Sequence, residues 1–267
     1  MRGAERDAAA IVLAGGMSQR MGAAKALLDW HGTPLVYRVA GILTRVCNPV
    51  IVVAAAEQAL PLPPDVEVAV DAAPGRGPLE GIAAGMHALG GRARAVFVAA
   101  TDLPLLHPAF VAHLLGSLPG YDAAVVVAGG HDQLLAAAYE ARLLARAPEL
   151  LAAGRPRVAA LLDGARVNRL PAGDLDEPDS FRNANTPQEY REMHGLPNPT
   201  VTVSAPGTAA IEVEAATLGA AAAGMPSRSG LAGGTIAHVN GVLVPADPAT
   251  PLVRGDVVEF RATRPGR

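Results

Sequence analysis

The chain has 267 residues, enough for one large domain or two unequal ones, and half of them are apolar, which is sufficient for a hydrophobic core. Its formal net charge of −3 gives no overall reason to bind nucleic acid or an anionic membrane. The single cysteine, Cys47, excludes an internal disulfide and a cysteine-based metal site. No segment has the ~20 bulky apolar residues of a membrane helix, and the charged N-terminus is unlike a signal peptide, so we expect a cytoplasmic protein.

Apolar, valine-rich runs alternate with helix-periodic segments through the first two-thirds of the chain. This alternation predicts an α/β fold with a Rossmann-like, mostly parallel sheet covered by helices on both faces. The predicted strands are 8–13, 49–54, 66–70, 95–100, 123–128, 133–139 and 166–170. The predicted helices are 34–46, 79–89, 108–115 and 141–153, with another helix beginning near Thr186. In such sheets ligands bind at the carboxyl ends of the strands.

The segment 195–199 contains glycine and prolines without any periodic pattern, which is typical of a linker. We therefore predict a first domain at 1–196 and a second at 200–267. The second has strand-like runs at 200–203, 210–214, 235–240, 242–244 and 256–261, and an alanine-rich helix at 217–223. This composition predicts a small α+β domain.

A glycine-rich loop with two basic residues follows the first predicted strand. Gly15, Gly16 and Gly22 allow the backbone to turn sharply and to approach a ligand closely. Consecutive backbone N–H groups in such a loop bind anions, and Arg20 and Lys25 add positive charge where a triphosphate would lie. The spacing is neither that of a Walker loop nor that of a dinucleotide fingerprint. The alternative is a tight connection between strand and helix with no ligand.

Two aspartates also lie at predicted strand ends. Asp102 follows the strand 95–100 and precedes Pro104, a position that suits a carboxylate holding Mg²⁺ against phosphate oxygens. Asp71 follows the strand 66–70. Either aspartate alone is equally compatible with a turn-forming or capping role, whereas a glycine loop and two aspartates at three strand ends together favour a nucleotide site.

The combination resembles the molybdenum cofactor guanylyltransferase family, the MobA-like nucleotidyltransferases. The motifs that carry the resemblance occur in family order between residue 8 and about residue 193. They are Leu13-Ala14-Gly15-Gly16, Arg20-Met21-Gly22, Lys25, Asp71, Gly77-Pro78-Leu79-Glu80-Gly81, Thr101-Asp102-Leu103-Pro104 and Asn183-Ala184-Asn185-Thr186-Pro187.

The resemblance implies transfer of GMP from GTP to the terminal phosphate of molybdopterin, or of its metal-loaded form, with release of pyrophosphate. It also implies the role of each matching residue. Lys25 would bind the phosphates, Asp71 would bind the guanosine portion, and Asp102 would contact GTP and coordinate Mg²⁺. Arg20 would face the leaving pyrophosphate, and Asn183 and Asn185 would lie on the pterin side. The remaining nucleotide contacts would be made by Leu13, Ala14, Gly15, Gly16, Pro78 and Leu79. Arg157 is a candidate for the acceptor phosphate, or alternatively an exposed arginine at a helix start.

Gly15 and the Gly77-Pro78-Leu79 motif favour GTP, because related cytidylyltransferases typically have alanine at the first position and lack the second pattern. Two positions depart from the family: Ala54, where some members have asparagine, and Leu134, where proline is frequent. The alternative functions are cytidylyl transfer or another Mg²⁺-dependent nucleotidyl transfer, and a non-catalytic scaffold. Expected partners beyond the substrates are other proteins of molybdenum cofactor synthesis or apo-molybdoenzymes, without nucleic acid or membrane.

The C-terminal region resembles the β-grasp sulfur carriers of molybdopterin and thiamin synthesis. The resemblance rests on Val239-Asn240-Gly241 and on Gly255-Asp256-Val257-Val258-Glu259-Phe260. Those carriers act through a C-terminal Gly-Gly, whereas this chain ends in Pro265-Gly266-Arg267. We therefore expect a docking or structural domain rather than a sulfur carrier.

Overall fold

The computed structural model describes residues 8–15, 25–71, 75–225 and 235–262. Within these residues the strands are β1 (Ala8–Leu13), β2 (Asp29–Trp30), β3 (Thr33–Pro34), β4 (Val50–Ala55), β5 (Glu67–Asp71), β6 (Ala95–Ala100), β7 (Ala123–Ala128), β8 (His131–Asp132), β9 (Ala136–Glu140), β10 (Val167–Pro171), β11 (Thr200–Ser204), β12 (Ile211–Glu214), β13 (Thr235–Val239), β14 (Val242–Val244) and β15 (Val257–Ala262). The α-helices are α1 (Leu35–Leu43), α2 (Pro78–Leu89), α3 (Pro108–Gly116), α4 (Ala141–Leu144), α5 (Ala147–Ala152), α6 (Pro187–His194) and α7 (Leu218–Ala223). None of the helices in the described ranges combines the length and the apolar character needed to cross a membrane.

The chain divides into two compact units. The first comprises Met1–Leu28 and Pro34–Tyr190, and the second comprises Asp29–Thr33 and Arg191–Arg267. The domain limits 1–196 and 200–267 stay a prediction from the sequence.

The first unit contains a sheet with the strand order β10-β7-β9-β6-β1-β4-β5, and β8 pairs with β7. The pairs β1–β4, β1–β6, β4–β5 and β7–β10 are parallel, whereas β9 is antiparallel to both β6 and β7. The predicted α/β class with a mostly parallel sheet is therefore confirmed. Because β1 lies between β4 and β6 and is parallel to both, the segments that follow these three strands lie side by side at the carboxyl ends of the strands.

Helix α2 packs unusually closely on β1. A Cβ atom on Gly81 would lie 3.0 Å from Leu13 Cδ2, and one on Gly85 would lie 2.7 Å from Ile11 Cγ2. Both glycines therefore allow the helix backbone to approach the strand. This contact fixes the N-terminus of α2, at Pro78, near the carboxyl end of β1.

The single helix predicted at 141–153 is wrong, because the structure has two short helices there, α4 and α5. Pro148 lies in the first turn of α5. A proline has no backbone N–H to continue the hydrogen bonding of α4, and it disfavours helical geometry in the residue before it. Proline is tolerated in the first turn, so a new helix begins there.

The second unit contains a five-stranded sheet with the order β12-β11-β15-β13-β14. Its β11 and β15 are parallel, and the remaining neighbours are antiparallel. Helix α7 lies between β12 and β13 in the chain, and its Leu218 is buried with Val203, Leu252 and Phe260 in the core of this unit. The predicted small α+β sheet domain is thus present.

Candidate active site

Lys25 and Asp102 lie together at the carboxyl ends of the neighbouring strands β1 and β6. Lys25 begins a 3₁₀ turn, Lys25–Leu27, in the connection after β1, and Asp102 is the second residue after β6. The Lys25 Nζ atom is 2.8 Å from the Asp102 Oδ2 atom, and the two side chains are 17% and 10% exposed. A mostly buried carboxylate and ammonium group compensate each other's charge here.

Asn185 completes this cluster from a segment distant in sequence. Lys25 Nζ donates a hydrogen bond of 3.0 Å to Asn185 Oδ1. The segment is held beside β6 because the backbone N–H of Ala184 donates to the carbonyl of Asp102 at 2.9 Å. Asn183 is half-buried in the same segment and, within the described residues, makes no hydrogen bond to Lys25 or Asp102. The structure thus brings Asn185, but not Asn183, directly to the lysine.

The orientation of Asn185 depends on Glu189, which was not among the site residues predicted from the sequence. Glu189 Oε2 accepts hydrogen bonds from the backbone N–H groups of Asn185 and Thr186, each at 2.9 Å. Thr186 Oγ1 accepts from the Glu189 N–H at 3.1 Å in return. This reciprocal pair is a capping box at the start of α6, where the sequence predicts a helix beginning near Thr186.

Gly15 and Asp71 lie next to each other, also at the carboxyl ends of the strands. A Cβ atom at position 15 would be 3.7 Å from both Asp71 Oδ2 and the backbone nitrogen of Ala55. These are ordinary van der Waals distances, so the backbone at Gly15 lies beside the Asp71 carboxylate, which is only 8% exposed. The backbone carbonyl carbon of Ala54 would be 3.9 Å from the same Cβ atom.

Leu13 is the last residue of β1, and Ala14 and Leu79 lie near it with buried side chains. Ala14 is buried, and its N–H donates to the carbonyl of Val53 at 2.8 Å. The side chain of Leu79 is fully buried in the core of the first unit. However, Leu79 is in the first turn of α2, where backbone N–H groups have no partner within the helix. The predicted contacts of Leu79 with a ligand could therefore be made only by its main chain.

Arg157 is exposed and precedes a 3₁₀ turn, Val158–Leu162. The neighbouring carbonyl of Pro156 would be 3.9 Å from a Cβ atom on Gly77, the residue before α2. The loop that carries Arg157 is thus beside the N-terminus of α2. Two other predicted site residues, Gly16 and Arg20, lie outside the described residues.

Arg38 is a second residue that the sequence analysis missed. It lies in α1, is only 4% exposed, and its Nε donates to the carbonyl of Pro104 at 2.7 Å. This bond ties α1 to the turn that carries Asp102. The signal in the sequence was a single arginine inside an otherwise apolar helix.

The Asp102 carboxylate has one oxygen available for a ligand. Its Oδ1 atom is buried and has no hydrogen-bond partner in the described part of the chain, while Oδ2 is bound by Lys25. A buried acceptor without a partner is unfavourable, so a cation at Oδ1 would relieve the deficit. In the described ranges no group of three or more His, Cys, Asp or Glu residues is placed to hold a metal. A single unpartnered carboxylate oxygen would suit an ion that takes most of its ligands from a phosphate substrate and water, as Mg²⁺ does.

The chain is similar in sequence and in fold to known proteins. Residues 10–167 match the family model described as the MobA-like NTP transferase domain. The chain is 41% identical over 182 residues to a probable molybdenum cofactor guanylyltransferase of Mycobacterium marinum, covering 65% of this chain and 90% of the relative. A Mycobacterium tuberculosis protein with the same description is 39% identical over 170 residues, covering 62% and 84%. The fold is similar to the crystal structure of molybdopterin-guanine dinucleotide biosynthesis protein A from Archaeoglobus fulgidus, with a TM-score of 0.57, 24% identity, and coverage of 70% and 96%.

Proposed function

The chain belongs to the MobA-like NTP transferase family, and from this we propose that it transfers GMP from GTP to the terminal phosphate of molybdopterin or its metal-loaded form. The observation that carries the proposal is the cluster of Lys25, Asp102 and Asn185 at the carboxyl ends of β1 and β6. This is the position at which open α/β sheets bind ligands.

The reaction requires little covalent chemistry from the protein. An oxygen of the acceptor phosphate attacks the α-phosphorus of GTP, the bond from that phosphorus to the bridging oxygen breaks, and pyrophosphate leaves with the electron pair. The acceptor oxygen is already anionic, so no side chain has to remove a proton from it. Catalysis then depends on aligning two polyanions and neutralising their charge.

Lys25 is suited to this task because its ammonium group is held in place by hydrogen bonds that do not use all of its N–H donors. An ammonium group has three N–H donors, and two of them are bound, by Asp102 and Asn185. The third has no partner among the residues that the structure describes. We assign it to the phosphates of the nucleotide. Asp102 and Asn185 fix the position of the ammonium group before the substrate binds.

Asp102 would hold Mg²⁺ through the buried Oδ1 atom that has no other partner. When bound, Mg²⁺ neutralises charge on the phosphate oxygens. Asp71 and the backbone around Gly15 are assigned to the guanosine portion, Asn183 and Asn185 to the pterin side, and Arg157 to the acceptor phosphate. Gly16 and Arg20 retain the roles that the sequence resemblance implies, with Arg20 at the leaving pyrophosphate.

The test is release of pyrophosphate from GTP by the full chain, with and without molybdopterin and with and without Mg²⁺. We expect release only when molybdopterin and Mg²⁺ are both present. Replacing GTP by CTP separates guanylyl from cytidylyl transfer, and we expect GTP to be preferred. Equal rates with CTP would contradict the assignment of guanine. No pyrophosphate with any nucleotide would favour a non-catalytic scaffold.

For the C-terminal unit we propose a docking or structural role, with other proteins of molybdenum cofactor synthesis or apo-molybdoenzymes as partners in the cytoplasm. The strand order β12-β11-β15-β13-β14, with its parallel central pair β11–β15, supports the resemblance to β-grasp proteins. Mass spectrometry after incubation with an activating enzyme of a sulfur carrier should show no sulfur adduct. A thiocarboxylate on the chain would contradict this role.

A further inference from the structure

A second concave site lies on the first unit, at the amino end of β6, whereas Asp102 lies at the carboxyl end of that strand. It is a surface depression of about 520 Å³ lined by residues before β6, β7 and β10 and at the end of β9. Arg94 immediately precedes β6, whereas Asp102 follows it. The six residues of β6 separate the two sites by about 20 Å, at ~3.3 Å per residue. A small ligand in the depression therefore cannot contact Lys25 or Asp102.

Three arginines from separate segments line this depression: Arg94, Arg142 and Arg166. Arg142 donates to Asp122 Oδ1 at 2.5 Å, and its Nε is 3.9 Å from Glu140 Oε2. In the described part of the chain the guanidinium groups of Arg94 and Arg166 make no hydrogen bond or ion pair. Most other described arginines do pair, for example Arg92 with Glu67.

The charge of the lining favours an anion. The lining residues include three arginines and one acidic residue, Glu140, and the Asp122 carboxylate is bonded to one of these arginines, Arg142. Asp122 fixes Arg142 through a hydrogen bond and also accepts from the Arg166 backbone N–H at 2.8 Å. The guanidinium N–H donors of Arg94 and Arg166 have no partner in the described part of the chain and can bind a ligand. Guanidinium groups bind phosphate oxygens in pairs of parallel hydrogen bonds, which a point charge does not.

Tyr121 adds an aromatic surface to the same depression, since it lines the site and is 40% exposed. An exposed tyrosine ring beside arginines is suited to stack on a planar ligand ring. The volume also falls in the range of small-molecule sites, about 300–1,000 Å³. We propose that this depression binds a small ligand that carries a phosphate monoester and a planar ring, as a second site separate from the catalytic one.

The test uses GMP and inorganic phosphate as probes with the full chain carrying K25A, which weakens binding at the catalytic cluster. Equilibrium dialysis should show GMP bound, and R94Q/R166Q in the same background should weaken that binding at least tenfold. The matched control is R169Q, because Arg169 is exposed and already pairs with Asp132 away from the depression. It should leave GMP binding unchanged. Thermal unfolding of each variant establishes that it is folded.

Inorganic phosphate tests the ring part of the proposal. Phosphate should bind at least tenfold more weakly than GMP, and Y121A should reduce this difference. Equal binding of phosphate and GMP would overturn the requirement for a ring. No GMP binding at millimolar concentration, or equal binding by K25A and its R94Q/R166Q derivative, would overturn the site itself. Because the readout is binding, neither result depends on whether the chain transfers GMP.

Discussion

Gly85 of α2 faces Ile11 of β1 so closely that a Cβ atom at position 85 would be 2.7 Å from Ile11 Cγ2. Ile11 is fully buried at the centre of the large sheet and is flanked by β4 and β6. Neither the strand nor the isoleucine has room to move aside. The distance between α2 and β1, and with it the position of the N-terminus of α2, is therefore set by the absence of a side chain at position 85.

Gly85→Ala should accordingly destabilise the protein, by about 1–3 kcal/mol for an overpacked core. It should also raise KM for GTP, because the first turn of α2 would shift relative to Gly15. Gly116→Ala is the matched control, since a Cβ atom there meets nothing within 4 Å and α3 ends at that residue. The control should leave the free energy of unfolding unchanged or raise it by up to ~1 kcal/mol. Urea unfolding measures both, and equal stability of the two variants would contradict the packing argument.

Lys25→Ala and Asp102→Ala should each lower kcat/KM for GMP transfer by about 10²–10³, the effect of losing about 2.7–4 kcal/mol from a preorganised electrostatic contact. The double variant should be little worse than either single one, because the two groups hold each other in place and act as a unit.

Asp65→Asn is the control for the loss of a carboxylate. Asp65 is exposed and has a positive φ of 66°, which asparagine adopts readily. Its activity should equal that of the wild type. Near-normal turnover by Asp102→Ala, or full additivity of the two single effects, would contradict the assigned roles.

Much of the first unit could be predicted because its strands are short apolar runs bounded by turn residues. β1, β6 and β7 coincide with the predicted 8–13, 95–100 and 123–128, since runs of six apolar residues that include valine are too short for a typical helix. The antiparallel direction of β9 was not predicted, although the sequence contained the signal. The connection 129–135 is shorter than the roughly dozen residues that a parallel crossover requires.

The site residues that directly follow strands could be predicted from the sequence. Which side chains contact each other was harder to predict, because that depends on the direction in which each side chain points. The contact of Lys25 with Asp102 agrees with the expectation that the segments after the paired strands β1 and β6 lie close together. The positions of Asn183 and Asn185 on either side of the same alanine do not by themselves show which of the two binds Lys25. Their difference arises from the capping box of α6, which fixes the backbone at Asn185.

Glu189→Ala should therefore lower GMP transfer, although Glu189 itself makes no described contact with Lys25 or Asp102. Loss of its carboxylate frees the backbone at Asn185 and Thr186, so the hydrogen bond from Lys25 to Asn185 is no longer held. We expect a fall of about tenfold in kcat, equivalent to ~1.4 kcal/mol, with a smaller change in KM for GTP.

Asn185→Ala should produce a similar fall, and the double variant should add little to either change. Glu149→Ala, an exposed glutamate in the first turn of α5, is the control and should retain full activity. Additive losses for Glu189 and Asn185 would show that the glutamate acts in some other way than by positioning the asparagine.

Cys47 gives the folding equilibrium a defined dependence on pH. Burial raises the pKa of its thiol from 9.0 to about 12. The unfolded chain therefore releases this proton at a lower pH than the folded chain, and stability is lost as the pH rises above 9. At pH 10 the loss of stability attributable to Cys47 is about 1.4 kcal/mol.

The Cys47→Ala variant lacks this contribution while retaining every other titrating group. Raising the pH from 7 to 10 should thus lower the free energy of unfolding of the wild type by about 1.4 kcal/mol more than that of Cys47→Ala. Urea unfolding at the two pH values measures this double difference, and a value unchanged with pH would mean that the thiol is accessible to water in the folded protein.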